Sequence, residues 1–246
     1  MPRSTEAAPK IRWFGKHDIQ LKTVLLGRVY THLEGAYRDI GGINLGSGFH
    51  DPAEMLRSIP VWRLVFEGAQ LVSVMVFKEK AGRLKMVAYA AESASETVRK
   101  NDLRCMVRLS HAELSGALLI AVLKQFGPAI RPHLLNPDKV LPERETFSLA
   151  ESGEALHRPE NSRILARLKA EFPDVLPFLY VRNIGGRLKL KLLVGSFRRV
   201  QGLLALGRLL SQAEAFLTEF KTKALQERTS LDAGSVLALQ FRRSAA

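Results

Sequence analysis

From Ile19 onward the apolar residues Leu21, Val24, Leu25, Val29, Leu33, Ala36 and Tyr37 recur at three- and four-residue steps. That period predicts an amphipathic helix ending at Gly41 and Gly42. A glycine-rich loop runs from Gly41 to Gly48. Asp51 then stands as an N-cap with Pro52 at the first helical position, opening a short helix to about Ser58. Beyond Pro60 the apolar period changes to two. Val61 to Phe66, Gln70 to Lys78 and Arg83 to Ala91 read as three strands of an antiparallel meander, turning at Glu67-Gly68 and at Lys80 to Gly82. Residues Glu92 to Asn101 are polar and predict a connection or short helix capped by Ser93 or Ser95. Leu103 to Leu109 reads as a fourth strand, and Ala112 to Phe126 as a strongly apolar helix stopped by Gly127 and Pro128.

Ala129 to Leu135 resembles one more strand, and Asn136 to Arg163 is a charged, loop-rich insertion. Ser162 to Phe172 has a helical pattern. Pro177 to Asn183 and Leu188 to Val194 flank Gly185-Gly186, the pair that supplies the positive φ angles of a tight hairpin turn. Phe197 to Leu225 reads as a long C-terminal amphipathic helix, whose broad apolar face must pack on the domain or on a second chain. Residues 1–18 carry no periodicity and read as a flexible basic arm with an anchor at Trp13 and Phe14. The expected organisation is therefore an arm (1–18), a domain (19–195) and a helix with a tail (196–246). The fold class is mixed α/β (α+β), a largely antiparallel central sheet flanked by helices.

Composition narrows the choice. With 46% hydrophobic and 25% charged residues in 246, the chain can bury a core and is not a disordered basic tail. Cys105 is the single cysteine, which excludes an intramolecular disulfide and a cysteine-based metal site and fits a reducing, cytoplasmic-type compartment. No HExxH or clustered His pattern is present, so no metal is expected. The apolar run Leu114 to Leu123 stops at Lys124, about half of what a bilayer span needs. Met1 to Lys22 lacks the apolar region of a secretion signal.

The order of two helices joined by a loop, a three-strand meander, a strand feeding a central helix across Arg104 to Phe126, and a late hairpin resembles the GNAT acyltransferase fold. Glu113-Leu114-Ser115-Gly116-Ala117 at the start of the central helix resembles GNAT-like proteins of phages and mobile elements. So does Tyr180-Val181-Arg182-Asn183-Ile184-Gly185-Gly186 with Lys191 and Gly195, and the resemblance spans Ile19 to Gly195. It implies an acyl-CoA-dependent N-acyltransferase, with acetyl-CoA or another acyl-CoA held where a strand gives way to the central helix. Backbone N–H groups and the helix dipole hold its pyrophosphate there. Arg108, Ser115, Gly116 and Ala117 are the residues this assigns to the cofactor. The family's loop contains two glycines, whereas the run from Arg108 reaches only Gly116.

Under this resemblance Glu113 or His111 would be the base for an attacking amine, and Tyr180 the acid for the leaving thiolate. A structural alternative makes Ser110 the helix N-cap and Glu113 its capping-box partner, leaving His111 exposed. Ser115 and Gly116 equally fit close helix-to-sheet packing. Tyr180 and Arg182 share one side of a strand, facing either a cleft or solvent. The glycine-rich loop lacks the Gly-Lys-Ser/Thr ending of a Walker loop, and His50-Asp51 reads as a cap.

The net charge is +13, and from Arg182 to Ala246 twelve Lys and Arg stand against four Asp and Glu. Arg182, Arg187, Lys189, Lys191, Arg198 and Arg199 form a candidate basic stripe for a nucleic-acid backbone, with Phe197 beside it for stacking. An acidic protein or membrane surface attracts the same patch. Two functions follow as expectations. One is an acyltransferase acting on or near nucleic acid. The other is a non-catalytic protein on a degenerate GNAT-like scaffold, binding nucleic acid or another polyanion, or a protein partner or second copy through the C-terminal helix.

Overall fold

The computed structural model describes residues 8–15, 19, 22–43, 49–80, 83–108, 112–141 and 146–195. Two antiparallel sheets flanked by helices make a mixed α/β arrangement. The first sheet holds β1 (Lys10–Gly15), β2 (Val61–Glu67), β3 (Gln70–Lys80) and β4 (Arg83–Ala90) in that order. The meander matches its alternation, but Lys10 to Gly15, expected in a flexible basic arm anchored at Trp13 and Phe14, form the strand β1, while residues 1–7 and 16–18 lie outside the described residues. Lys10 to Gly15 pair with Phe66 to Val61, which covers the edge of β2 and buries Trp13 and Phe14. Six residues of mixed polarity give no strand signal alone; the partner strand supplies it.

Helix α1 (Thr23–Tyr37) buries Leu25, Leu26, Val29, Leu33, Ala36 and Tyr37 and packs against β3 and β4. It ends through a 3-10 turn at Arg38–Ile40 and Gly41 at φ 101°. In α2 (Pro52–Ser58) the Asp51 carboxylate accepts from the Glu54 amide at 2.6 Å, the expected N-cap.

The next segment departs from expectation. Leu103 to Arg108 is not a strand; it belongs to α3 (Glu96–Arg108), because Val98, Asp102, Cys105 and Met106 form one buried helical stripe, and Leu109 lies outside the described residues. The Val98 amide donates to Ser95 Oγ at 3.4 Å at its start. Ala112 to Phe126 is not one helix but β5 (Ala112–Ser115) followed by α4 (Gly116–Phe126). The joint is Gly116 at φ 57°, a left-handed backbone that a side chain would strain. Ala129 to Leu135 is a 3-10 segment, Gly127–His133 with Pro132 inside, leaving Leu134–Leu135 as the short β6. The segment read as an insertion carries β7 (Thr146–Phe147), α5 (Gly153–Leu156) and the start of α6 (Pro159–Glu171).

The hairpin is present as β8 (Leu179–Ile184) and β9 (Arg187–Val194), with Gly185 and Gly186 at φ 58° and 72°. The second sheet runs β5-β9-β8-β7, and β6 pairs with the end of β9. Helix α4 is buried along almost its whole length and packs on β4, β9 and α6. The expected helix Phe197–Leu225 lies outside the described residues.

One buried cluster fixes α3 to the first sheet. Register places Trp13, Arg63, Met75 and Tyr89 on one side, with Ser73 opposite Val65. Asp102 reaches down to bond Arg63, accepts from Ser73 Oγ at 2.7 Å, and accepts from Tyr89 O–H at 3.0 Å. Arg63 and Asp102 are both essentially inaccessible. Removing one partner of such a pair leaves a buried charge uncompensated. Asp102→Ala is expected to cost about 3–5 kcal/mol in urea unfolding, and Asp102→Asn less.

Candidate functional site

Where the two sheets meet, β4 and β5 lie alongside each other, and Glu113 on β5 is buried, on the opposite side of its strand from the core residues Ala112 and Leu114. Antiparallel register places Ser115 opposite Lys191, Lys191 opposite Tyr180, and Lys189 opposite Arg182, so these side chains share one side of the second sheet. Glu113 is their centre. Its Oε1 accepts from Tyr180 O–H and from an Arg182 guanidinium N–H, each at 3.1 Å. Its Oε2 accepts from Lys85 Nζ at 3.2 Å and faces Lys191 Nζ at 3.6 Å. Leu135, Tyr180 and Leu193 pack together beside this group, with Val140 and Leu141 against them.

Electrostatics follow from this crowding. Burial works to raise the Glu113 carboxyl, but Lys191, Lys85 and Arg182 outweigh it and hold it at about 2. Burial pushes the Lys191 ammonium down to about 8; Lys85 and Lys189 push the same way while Glu113 opposes them. The Tyr180 phenol is pushed far above its ordinary value by burial and by Glu113. Glu113 is therefore a fixed anion and Tyr180 a fixed donor to it. A carboxylate that weakly basic takes a proton from an amine poorly.

The residues picked out in the sequence separate into groups. Glu113, Tyr180, Arg182 and Lys191 come together. Glu113 lies in a strand, so it is not the capping-box partner of Ser110, and Ser115 rather than Ser110 occupies the N-cap of α4, with no side-chain cap bond. Gly116 and Ala117 are buried in the first turn of α4. Arg108 closes α3, one element before β5, and is exposed. Arg187 and Lys189 are exposed on β9 and Arg182 is half-buried, but Lys191, at 1% exposure, cannot touch a nucleic-acid backbone directly. His111, Arg198 and Arg199 lie outside the described residues. Lys85 is the member sequence reasoning missed; its one signal is a lysine inside the apolar meander strand Arg83 to Ala91. Among the described residues no group of three or more His, Cys, Asp or Glu is placed to hold a metal ion, and no helix is long and apolar enough to cross a membrane.

Stability should carry the mark of both buried groups. Lys191 has a folded value of about 8 against 10.5, so the unfolded chain binds more protons between them and stability rises with pH there. Urea midpoints should climb between about pH 8 and 10, before Tyr180 of the unfolded chain ionises, and Lys191→Met should flatten that climb. Glu113 acts on the acid side. Its contribution is present above about 4.5 and lost as pH falls through about 2, a loss Glu113→Gln should remove.

Comparison of the chain with family models, with curated proteins and with solved structures finds no match.

Proposed function

We propose that this chain is a nucleic-acid-binding protein on a GNAT-like scaffold, in which the outward side of the second sheet receives the phosphate backbone. Arg187 and Lys189 are exposed there, Arg182 and Lys85 are partly exposed, and the chain carries a net charge of +13. Cations on one regular surface neutralise successive phosphates and release counterions, which is the main source of non-specific affinity. The GNAT-like reading is supported by element order: α1 and α2, the meander, β5 leading into α4, and a late hairpin whose second strand lies beside β5.

The observation that favours binding over acyl transfer is the state of Glu113 and Tyr180. The two residues wanted as base and acid are buried, hydrogen-bonded to each other at 3.1 Å, and shifted away from the values those roles need. The strand-to-helix joint also has Gly116 as its one glycine, where an acyl-CoA loop of the family has two.

The second reading, an acyl-CoA-dependent N-acyltransferase, draws on the joint at Ser115-Gly116. The first amides of α4 follow a strand there, the kind of place where backbone N–H groups hold pyrophosphate. Binding of mixed-sequence DNA and RNA across a salt series, beside calorimetry with acetyl-CoA, separates the readings. Affinity should fall steeply and linearly on logarithmic axes. Arg187→Ala and Lys189→Ala should each lower the slope by roughly 0.7–0.9. Acetyl-CoA binding without salt-dependent nucleic-acid binding would reverse the order, and Tyr180→Phe would then have to lower turnover more than binding.

A further inference from the structure

We propose that the cations around Glu113 form a subsite for a phosphate monoester dianion, with Lys85 and Arg182 as direct ligands and Lys191 as a buried charge beneath them. The proposal deepens the reading of this surface as one that receives phosphate, and adds a preference for a terminal or free phosphate over the internal diester.

Charge counting is the first support. Three cations surround one carboxylate, and Lys189 adds repulsion on Lys191 from the next outward position of β9. An excess of two positive charges matches a monoester dianion; an internal diester carries only one negative charge. The second support is the gradient of exposure. Side-chain exposure is 2% at Lys191, 11% at Glu113, 30% at Lys85 and 35% at Arg182, so the cluster opens to solvent on its cationic side. The third is the role left to Glu113. Its two oxygens take two partners each, which fixes Lys85 and Arg182 in place before any ligand arrives. An ammonium has three donors and Glu113 takes one from Lys85, so Lys85 can turn further N–H groups outward. The half-buried Ser115, opposite Lys191, adds a hydroxyl on the same side.

Ligand binding and protonation are then linked. The charged and titratable groups facing Lys191 are Glu113 from β5, Lys85 from β4, Tyr180 and Arg182 from β8 and Lys189 from β9. A bound dianion lowers the repulsion among them and returns Lys191 toward full protonation.

The test uses the full chain and three probes: inorganic phosphate, a short single-stranded oligonucleotide with a 5′-phosphate, and the same strand with a 5′-hydroxyl. The phosphorylated strand should bind about ten-fold tighter, an affinity ratio worth about 1.4 kcal/mol. Inorganic phosphate should compete for that advantage. Calorimetry near pH 8 in buffers of different ionisation enthalpy should show proton uptake with phosphate. Lys85→Gln, at the rim of the cluster, should bring the ratio of the two strands toward one; Lys191→Met should abolish proton uptake. Should the larger substitution fail to fold, Lys85→Gln still decides. Equal binding of the two strands with no effect of phosphate overturns the subsite, while steep salt dependence would leave the nucleic-acid reading standing. Phosphate binding with proton uptake but no binding of either strand would keep the subsite, assign it to a small free phosphate ester, and overturn the nucleic-acid reading instead.

Discussion

Burying the Glu113 carboxylate at the line where two sheets meet is the constraint on which the rest of this site depends. A carboxylate taken out of water needs compensating charge and hydrogen bonds, and here none of them comes from its own strand. Lys85 belongs to the first sheet, Tyr180 and Arg182 to β8, and Lys191 to β9. The anion is satisfied only when both sheets are complete and side by side. It thus helps to set their relation while leaving positive charge over on the outside.

The other buried carboxylate shows what a purely architectural arrangement looks like. Asp102 meets one guanidinium and two hydroxyls, and neither it nor Arg63 reaches solvent. Charge there is balanced and closed. Cys105 nearby is buried and its thiol is pushed up to about 11, by burial above all, so it stays protonated and unreactive. At Glu113 the cations outnumber the anion and two of them lie toward water. The contrast between the two clusters, more than any single residue, separates a closed, balanced fastening from one that leaves positive charge toward water.

What could be read in the sequence was whatever a short segment decides for itself. The Gly185-Gly186 turn, the Asp51-Pro52 helix start and the alternating strands from Val61 to Ala91 each carry their own local reason, and the structure has them. Failures lie where a partner decides. Trp13 and Phe14 become strand residues because β2 offers an edge. Leu103 to Leu109 looks extended until Val98 and Asp102 complete a helical stripe. The apolar run from Ala112 hides a change from strand to helix that only Gly116 marks. Of the site, Glu113, Tyr180, Arg182 and Lys191 were visible as chemistry, although as a base, an acid and surface cations. Lys85 was not visible, since nothing local tells a strand lysine that it faces a carboxylate in another sheet.

The pairing of β5 with β9 has a consequence for how the molecule comes into being. The meander from β2 to β4 joins neighbours through short turns, whereas Ala112 must wait for Val194, with helices α4, α5 and α6, several 3-10 segments and strands β6 to β8 between them. Closing that long loop costs entropy before any contact in the second sheet offsets it. During synthesis the first sheet and α3 can therefore mature while Glu113 is still in water, an ordinary solvated carboxylate. Its burial comes late, with the arrival of β8 and β9, so the positively charged surface exists only once the chain has been made through Val194.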